Sequence, residues 1–281
     1  MLEIPSPAGH SLAVHELGGA GRPTLLAHAT GLHGAVWEPM AAALAPGLER
    51  WAMDFRAHGA SVVPPDHPLD WAGYTEDVLT VIDGLGLAEG AILGIGHSMG
   101  GAALLMAEQR RPGTFAGLWL FEPIAPPPGM LQSSTGGGNP LAEGAARRRA
   151  GFPSSAEALA NYASKAPLSR LRADALHAYV RHGFVPDESG DGSVRLACRP
   201  VDEARTFEAA GAHGAFARLG EVRCPVVVAS GDEAGPSLFA APIADALPEG
   251  RLERFDLLGH FGPLEAPDRV AAAVSAFAAG L

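Results

Sequence analysis

Short apolar segments alternate with amphipathic segments along most of the chain, and this alternation limits the possible folds more than any other feature. Gly, Pro and Asp bound the apolar runs, and the intervening segments carry apolar residues at helical spacing. Parallel strands joined by crossover helices produce such a pattern, so we predict an α/β fold with a mostly parallel sheet. The predicted strands are 24–27, 49–53, 91–95, 117–121, 225–229 and 251–255, after an antiparallel hairpin of 2–4 and 12–16. The predicted helices that go with them are 37–44, 74–85, 100–111 and 266–281.

The alternation stops once, after the fourth predicted parallel strand beyond the hairpin. Helical patterns joined by turn-rich segments fill the interval, and the predicted helices there are 140–150, 155–163, 168–182 and 202–219. An insertion between two strands would cover the carboxyl ends of the sheet, where open α/β sheets bind ligands. We therefore predict a core of residues 1–124 and 221–281 with a helical cap of residues 125–220, the alternative being a helical domain packed elsewhere. We expect residues 123–140, rich in Pro and Gly, to form the mobile hinge and entrance of the cap.

Charge and composition exclude several classes of partner. The 281-residue chain has a formal net charge of −11, whereas nucleic acids and anionic membranes attract basic surfaces. The N-terminus lacks the pattern of a signal peptide, no apolar run reaches the length of a membrane span, and two cysteines cannot form a disulfide framework. We expect a cytoplasmic monomer or homodimer with a small neutral or apolar substrate and no nucleic-acid or membrane partner.

Residues 91–109, AILGIGHSMGGAALLMAEQ, carry the most specific chemical signal. A buried strand, a tight turn and an Ala-rich helix follow one another, and the turn has the pattern Gly-x-Ser-x-Gly around Ser98. Such a turn presents the serine hydroxyl at the end of a strand, while the glycines avoid clashes between strand and helix. The N–H of Met99 lies at the helix start, where negative charge is stabilised. We predict that Ser98 is a nucleophile, the alternative being a turn serine without a catalytic task.

A serine nucleophile needs a base, and His260 is the best candidate among the eleven histidines. It follows the last predicted strand in a Gly-flanked loop that leads into the terminal helix. This order predicts a place at the carboxyl edge of the sheet, beside Ser98. His97 lies inside the turn itself, and we expect it to point away from Ser98.

Metal and dinucleotide sites have little support. His28 and His33 are five residues apart, as are His177 and His182, so neither pair shares a helix face as in zinc-binding helices. The glycines before Ser98 do not continue into a dinucleotide fingerprint. We expect neither a metal nor a cofactor.

Four segments together match one family pattern. They are LLAHATGLHGAVW at 25–37, DFRAHGAS at 54–61, GHSMGG at 96–101 and LLGHFGPLEAP at 257–267. With them the chain resembles the α/β-hydrolase superfamily, in the branch that carries a helical cap. The resemblance implies an α/β-hydrolase fold, in which helices flank a mostly parallel eight-stranded sheet and the cap is inserted after strand 6.

The resemblance also implies roles for single residues. The family order of nucleophile, acid and histidine fits Ser98 and His260. Its oxyanion hole combines the N–H after the nucleophile with one from the loop after the third strand, which implies Met99 and Thr30. A serine nucleophile disfavours the epoxide hydrolases and dehalogenases and implies a serine hydrolase acting on a carboxylic ester or lactone. Hydrolysis of a carbon–carbon bond or a thioester by the same triad, or a non-catalytic small-molecule receptor, stays open.

The acid of the triad has two candidates. Most of the superfamily places it in Gly-x-x-Asp after the seventh strand, but here the position three after Gly231 is Ala234, and Asp232 and Glu233 are out of phase. The other placement known in the superfamily follows the sixth strand, where Glu122 stands at the strand end. We favour Glu122, a carboxylate at the carboxyl end of a strand without nearby bases, and keep Asp232 as the alternative.

Substrate contacts give weaker signals. The candidates are His33, His97, Tyr162, Tyr179 and Phe261, and a packing role is the alternative for each. We interpret His28 as a structural residue of the loop after the third strand. We interpret the run Arg147-Arg148-Arg149 as a solvated helix face rather than a carboxylate clamp.

Overall fold

One eight-stranded sheet organises the chain, whose residues 1–130, 138–232 and 235–281 are described by the structure, a computed structural model. Its strands are β1 (Leu2–Pro5), β2 (Ser11–Glu16), β3 (Arg22–Ala27), β4 (Leu48–Met53), β5 (Ile92–His97), β6 (Phe115–Phe121), β10 (Val226–Ser230) and β11 (Gly250–Arg254). They lie in the order β1-β2-β4-β3-β5-β6-β10-β11, antiparallel at β1–β2 and β2–β4 and parallel elsewhere. The predicted α/β-hydrolase fold with a mostly parallel eight-stranded sheet is confirmed.

Alternating side chains of the strands build a core on each face of the sheet. In β6, for example, Leu118 and Leu120 join one buried cluster, whereas Trp119 and Phe121 join the other. The first cluster includes α2 (Trp71–Gly84), α3 (Met99–Arg110) and α8 (Ser237–Ala246), and the second includes α1 (Glu38–Ala43), α9 (Gly262–Glu265) and α10 (Pro267–Ala278). The sequence pattern did not predict α8, which contains Pro242, a residue that usually interrupts helices. Both faces are therefore buried, as the near-continuous apolar character of β5 requires.

The predicted cap, residues 125–220, contains helices and also a small sheet. Its helices are α4 (Pro140–Ala146), α5 (Ser155–Ala163), α6 (Ala173–His182) and α7 (Pro200–Glu208), with 3₁₀ turns at Leu168–Arg170 and Ala215–Glu221. The sheet consists of β7 (Gly151–Phe152), β9 (Val194–Leu196) and β8 (Phe184–Pro186) in that spatial order, all antiparallel. Strands of two or three residues are too short to show an alternating pattern, so the sequence pattern missed them.

Three predicted helices of the cap differ from the observed ones. The predicted helix 140–150 ends at Ala146, because a turn and the strand β7 follow it. The predicted helix 168–182 is interrupted at Leu171, which has extended backbone after a 3₁₀ turn. The predicted helix 202–219 divides after Glu208, since Gly211 and Gly214 lie in the segment before the next 3₁₀ turn. Residues 131–137, within the segment expected to be a mobile hinge, lie outside the described residues, and the division into core and cap stays a prediction.

Direct contacts attach the predicted cap to the predicted core on two opposite sides, among other places. On one side, the indole N–H of Trp71 in α2 donates to the carbonyl of Thr206 in α7 at 3.1 Å, and the hydroxyls of Tyr74 and Thr206 are 2.6 Å apart. On the other, α6 packs on the 3₁₀ turn Gly34–Trp37 and on α1. The cap therefore lies against both the helical layer and the loop that follows β3. None of the helices in the described ranges is long and apolar enough to cross a membrane.

A buried ion pair attaches the loop after β4 to α2. The guanidinium of Arg56 donates to the carboxylate of Asp77 at 2.7 to 3.1 Å, and the two side chains are 5% and 0% exposed. Burial alone would raise the pKa of Asp77, but hydrogen bonds from His10 and Arg56 bring it below its usual range. The stabilisation is therefore complete above the pKa of an unfolded aspartate and is lost as the pH falls through the lowered value.

We predict that Asp77→Ala lowers the free energy of unfolding at neutral pH by about 3–5 kcal/mol, because it leaves the Arg56 charge buried without its partner. Urea denaturation measures the change. Glu76→Ala, on the same helix, is the matched control: its pair with Arg110 is largely exposed, so it should cost less than about 1 kcal/mol. Equal midpoints for the two variants would contradict this account.

Candidate active site

The sharp turn between β5 and α3 holds Ser98 in a strained backbone conformation. Its φ and ψ are 56° and −115°, outside the regions that a residue with a side chain normally adopts. Its N–H donates to the carbonyl of Phe121 at 3.0 Å, and its own carbonyl accepts from Ala102 at 3.1 Å and from Ile124 at 3.2 Å. The surrounding structure thus keeps a strained serine at the carboxyl edge of the sheet, which is typical of a nucleophile elbow.

The glycines on both sides of Ser98 allow this close approach. A Cβ at Gly96 would lie 2.6 Å from the Cα of Gly101, and one at Gly100 would lie 2.3 Å from the carbonyl oxygen of Ala27. Neither distance leaves space for a methyl group. The Gly-x-Ser-x-Gly pattern therefore has the steric cause that the sequence indicates.

The side chains of Ser98, His260 and Glu122 form one chain of hydrogen bonds. The Ser98 Oγ lies 3.1 Å from Nε2 of His260, and Nδ1 of the same ring lies 2.6 Å from Oε2 of Glu122. A carboxylate accepts, so the ring carries its proton on Nδ1 and presents a free lone pair on Nε2 to the serine hydroxyl. In this tautomer His260 can take a proton from Ser98.

Glu122 follows β6 and reaches across to the neighbouring strand end. Its backbone is in the left-handed region, with φ at 45°, and its N–H donates to the carbonyl of Ala229 at 2.8 Å. The side chain is 2% exposed, and Oε1 accepts the N–H of Gly231 at 2.9 Å. One oxygen is thus held by the backbone after β10 while the other faces His260, which fixes the orientation of the carboxylate.

Asp232, the alternative acid, is exposed and has other partners. Its Oδ2 accepts the N–H of Leu257 at 2.8 Å, and its N–H donates to the carbonyl of Leu258 at 3.1 Å. These contacts hold the turn that leads from β11 towards His260. Glu233 and Ala234 lie outside the described residues, so only Asp232 of this segment can be compared with Glu122.

His97 holds the backbone of His260 in place and does not face the serine. Its Nε2–H donates to the carbonyl of His260 at 2.7 Å, and the two ring centroids are 4.9 Å apart. Burial lowers the pKa of His97 well below its usual range, so the ring is neutral. Phe261 packs against both rings, at 5.5 and 5.8 Å between centroids. Both His97 and Phe261 therefore contact the ring of His260.

The loop after β3, residues 28–34, lies beside the elbow, and we call it the oxyanion loop. The Thr30 hydroxyl is 3.5 Å from Sδ of Met99. Met99 is the first residue of α3, so its N–H has no acceptor inside the helix and is free to bind a developing negative charge. The two predicted oxyanion residues are thus neighbours at the elbow.

His28 stabilises the start of this loop. Its Nδ1–H donates to the carbonyl of Ala29 at 2.8 Å, and its Nε2 accepts the N–H of Phe55 at 3.1 Å. Burial lowers the pKa of His28 to about 3, so the ring stays neutral and both nitrogens are occupied by backbone groups. These contacts agree with the interpretation of His28 as a structural residue.

The other candidate substrate contacts lie where the cap meets the oxyanion loop. His33 is buried, its Nε2–H donates to the carbonyl of Tyr179 at 3.1 Å, and its ring stacks on the Tyr179 ring at 6.0 Å between centroids. Tyr162 and Tyr179 are 9% and 1% exposed, and both hydroxyls accept from the guanidinium of Arg148. In this structure the three residues make packing and hydrogen-bond contacts within the protein.

Arg148 differs from the expectation of a solvated arginine run. Arg147 and Arg149 are exposed, but Arg148 turns inward and forms a short ion pair with Glu203 of α7. The sequence pattern missed this pair because the two residues are far apart along the chain, and each lies in a segment with other charged residues. Glu203 follows Asp202 in α7, and nothing in the local sequence indicates that its side chain is buried.

Metal ligands are not brought together in the described part of the chain. No group of three or more His, Cys, Asp or Glu side chains there is arranged to hold an ion. The two cysteines, Cys198 and Cys224, are both free and buried.

Solved structures share this fold at low sequence identity. E-2-(acetamidomethylene)succinate hydrolase matches with 19% identity and a TM-score of 0.79, covering 99% of each chain. A thermophilic esterase from Thermogutta terrifontis, with malate bound, matches with 21% identity and a TM-score of 0.74, covering 99% of this chain and 98% of its own. The thioesterase domain from the curacin biosynthetic pathway matches with 18% identity and a TM-score of 0.75, covering 98% of this chain and 99% of its own.

Identities this low show a common fold and no more, and no curated protein sequence matches the chain. The model of one family matches residues 24–273, which include the oxyanion loop, the elbow, Glu122 and His260. The chain therefore belongs to the alpha/beta hydrolase family.

Proposed function

We propose that this protein is a serine hydrolase that cleaves a carboxylic ester or a lactone through an acyl-enzyme intermediate. The observation that carries the proposal is the continuous hydrogen-bond chain from Ser98 through His260 to Glu122. A serine is a weak nucleophile on its own, and a base oriented by a buried acid is the arrangement that activates it. Ser98, His260 and Glu122 are the proposed catalytic residues.

In the first step Ser98 Oγ attacks the carbonyl carbon of the substrate while His260 Nε2 takes the hydroxyl proton. Glu122 stays ionised and stabilises the imidazolium through its bond to Nδ1. The same proton then passes from Nε2 to the leaving oxygen, which breaks the ester bond and leaves the acyl group on Ser98. In a lactone the leaving oxygen stays attached to the acyl chain.

The N–H groups of Met99 and Thr30 are the proposed donors to the oxyanion of the tetrahedral intermediate. Met99 contributes a donor that the helix leaves free, and its partial positive charge adds to the helix dipole. In the second half of the reaction a water molecule gives its proton to His260 and attacks the acyl carbon. Collapse of the second intermediate returns the proton to Ser98 and releases the acid.

The proposed substrate is small and neutral or apolar. The aromatic residues Phe152, Tyr162 and Phe184 of the predicted cap pack on one another in the second core cluster, which supports an apolar substrate. Esterases and a thioesterase are among the proteins of similar fold, which supports acyl transfer as the reaction class. A thioester or a carbon–carbon bond is the alternative substrate for the same residues, and a non-catalytic receptor is the alternative function.

We predict that a fluorophosphonate probe labels the wild type at one serine and that Ser98→Ala abolishes the labelling. The reason is that only a serine hydrogen-bonded to an oriented histidine is reactive enough to attack phosphorus. Ser164→Ala is the matched control, because the hydroxyl of this exposed serine donates to the carbonyl of Asn161 at the end of its own helix and should not affect labelling. Gel fluorescence and mass spectrometry of the labelled peptide measure the result, and persistent labelling of Ser98→Ala would refute the nucleophile.

We predict continuous turnover of short-chain p-nitrophenyl esters, with kcat lower by about 10⁴-fold or more in His260→Ala. A panel of lactones, thioesters and carbon–carbon substrates, assayed in parallel, identifies the bond that is cleaved fastest. Release of a single equivalent of nitrophenol without turnover would favour the receptor. If kcat/KM is higher for thioesters than for every oxygen ester and lactone, thioesters become the proposed substrate class and the mechanism is unchanged.

We predict that Glu122→Gln lowers kcat by roughly 10³- to 10⁴-fold, because an amide no longer holds His260 in the reactive tautomer or stabilises its charge. Asp232→Asn keeps the shape of the side chain and should change kcat by less than about 10-fold, since among the described residues its carboxylate accepts from the backbone of Leu257 and not from His260. Steady-state kinetics with one ester compare the two variants. The opposite ranking would assign the acid to Asp232.

A further inference from the structure

One guanidinium in the cap connects four separate elements. Arg148, just after α4, forms its ion pair with Glu203 of α7, and its Nη2 donates to the hydroxyls of Tyr162 in α5 and Tyr179 in α6. The side chains of Arg148 and Glu203 are 21% and 8% exposed. Because two charges this far removed from water depend on each other and on their hydrogen-bond partners, the cluster has little freedom to move.

This ion pair lies directly against the oxyanion loop at Gly31. A Cβ placed on Gly31 would lie 2.5 Å from Oε1 of Glu203 and 3.2 Å from Nη1 of Arg148. Gly31 also has a φ of 76°, which favours glycine. Gly31, which follows Thr30, is thus in van der Waals contact with the charged pair. It has no side chain that would separate the loop backbone from the pair.

A second contact joins the same loop to the same cluster. Nε2–H of His33 donates to the carbonyl of Tyr179, whose ring stacks on the imidazole and whose hydroxyl accepts from Arg148. Burial lowers the pKa of His33 to about 4, so the ring remains a neutral donor at physiological pH. Tyr179 therefore contacts the loop with its backbone and ring and the ion pair with its hydroxyl.

The core, in contrast, holds the two ends of the loop. At the start, His28 bonds to the backbone of Ala29 and Phe55. At the end, the N–H of Gly34 donates to Oδ1 of Asp54 at 2.6 Å. Thr30 lies between these two ends and directly before Gly31, which contacts Glu203. The cap therefore packs against the part of the loop that carries the proposed oxyanion donor.

We propose that the Arg148–Glu203 ion pair is a positioning element for the oxyanion hole: by packing on Gly31 it sets the place of the Thr30 N–H. The inference rests on the proposed function, since it assigns Thr30 the role of donor. Arg148 and Glu203 are positioning residues and do not contact the reacting atoms. The cap thereby contributes to transition-state stabilisation as well as covering the site.

Two other roles for the pair lead to different results. If it only stabilised the cap, its loss would lower the melting temperature and leave kcat unchanged. If Arg148 bound a carboxylate of the substrate, its loss would raise KM for anionic esters and leave neutral ones unaffected. A shifted oxyanion donor changes kcat and the affinity for a tetrahedral mimic together, because both depend on the same N–H.

The test compares Arg148→Met and Glu203→Gln with the wild type on a neutral p-nitrophenyl ester and on a trifluoromethyl ketone inhibitor. We expect kcat and the affinity for the ketone to fall in parallel, by about 10- to 100-fold, which is less than complete removal of a donor costs. KM should stay within about 3-fold and the pH profile of kcat/KM should not move, because the triad is untouched. Arg199→Met, which removes another cap ion pair on α7, with Asp202, is the control and should keep the wild-type kcat and inhibitor affinity.

A double-mutant cycle tests the contact itself. Gly31→Ala should lower kcat strongly, because its Cβ meets the Glu203 carboxylate. In a Glu203→Ala background the same substitution should lower kcat by a factor that is at least about 5-fold smaller, since the clash is removed while the backbone strain at residue 31 is unchanged. Additive effects would overturn the inference.

The failures of the two proposals are distinguishable. An active wild type in which Ser98 is labelled, together with variants of unchanged kcat and inhibitor affinity, overturns the positioning role alone. A fall only in melting temperature, or a rise only in KM, overturns it as well. A wild type inert towards both the esters and the fluorophosphonate overturns the proposed function and this inference together.

Discussion

The rest of the site depends on the two hydrogen bonds that the carboxylate of Glu122 forms. This carboxylate spans the gap between β6 and β10, accepting the N–H of Gly231 with one oxygen and facing Nδ1 of His260 with the other. That arrangement is possible because neighbouring parallel strands end at the same edge of the sheet. The order β3-β5-β6-β10-β11 places the oxyanion loop, the elbow, Glu122 and the loop of His260 side by side. A different strand order would separate the same residues.

Around this carboxylate, two polar residues hold the backbone near His260 by hydrogen bonds. His97 binds the carbonyl of His260, and Asp232 binds the turn at Leu257 that precedes it. Both are polar residues next to the proposed catalytic groups, and either could be mistaken for a further base or acid. Their partners are backbone groups, which indicates that they fix geometry. The oxyanion loop has a comparable arrangement, with its ends attached to the core and its middle in contact with the Arg148–Glu203 pair.

The sequence predicted most of the candidate site because its signals are local. Gly-x-Ser-x-Gly between a strand and a helix requires a tight turn, and a histidine after the last strand follows from chain order. Glu122 is favoured over Asp232 because it stands at the end of a strand, whereas Asp232 is out of phase with the family pattern. Both of these signals are also local. The contact of Glu203 with Gly31 was not predictable, because it joins a cap helix to a core loop and leaves no pattern in either segment. The cap sheet was missed since its strands have two or three residues, too few for a period.

The sequence by itself determined the eight strands of the large sheet along the chain, the strained serine turn and the residue types that could form a triad, because hydrophobic period and glycine placement act within a few residues. Only the tertiary structure decided which carboxylate reaches His260 and which arginine of a run of three turns inward to an ion pair. Both outcomes depend on distances between segments that are remote in sequence, and those distances are set by strand order and by the packing of the cap on the sheet. A buried charge finds its partner only when the fold brings the two together.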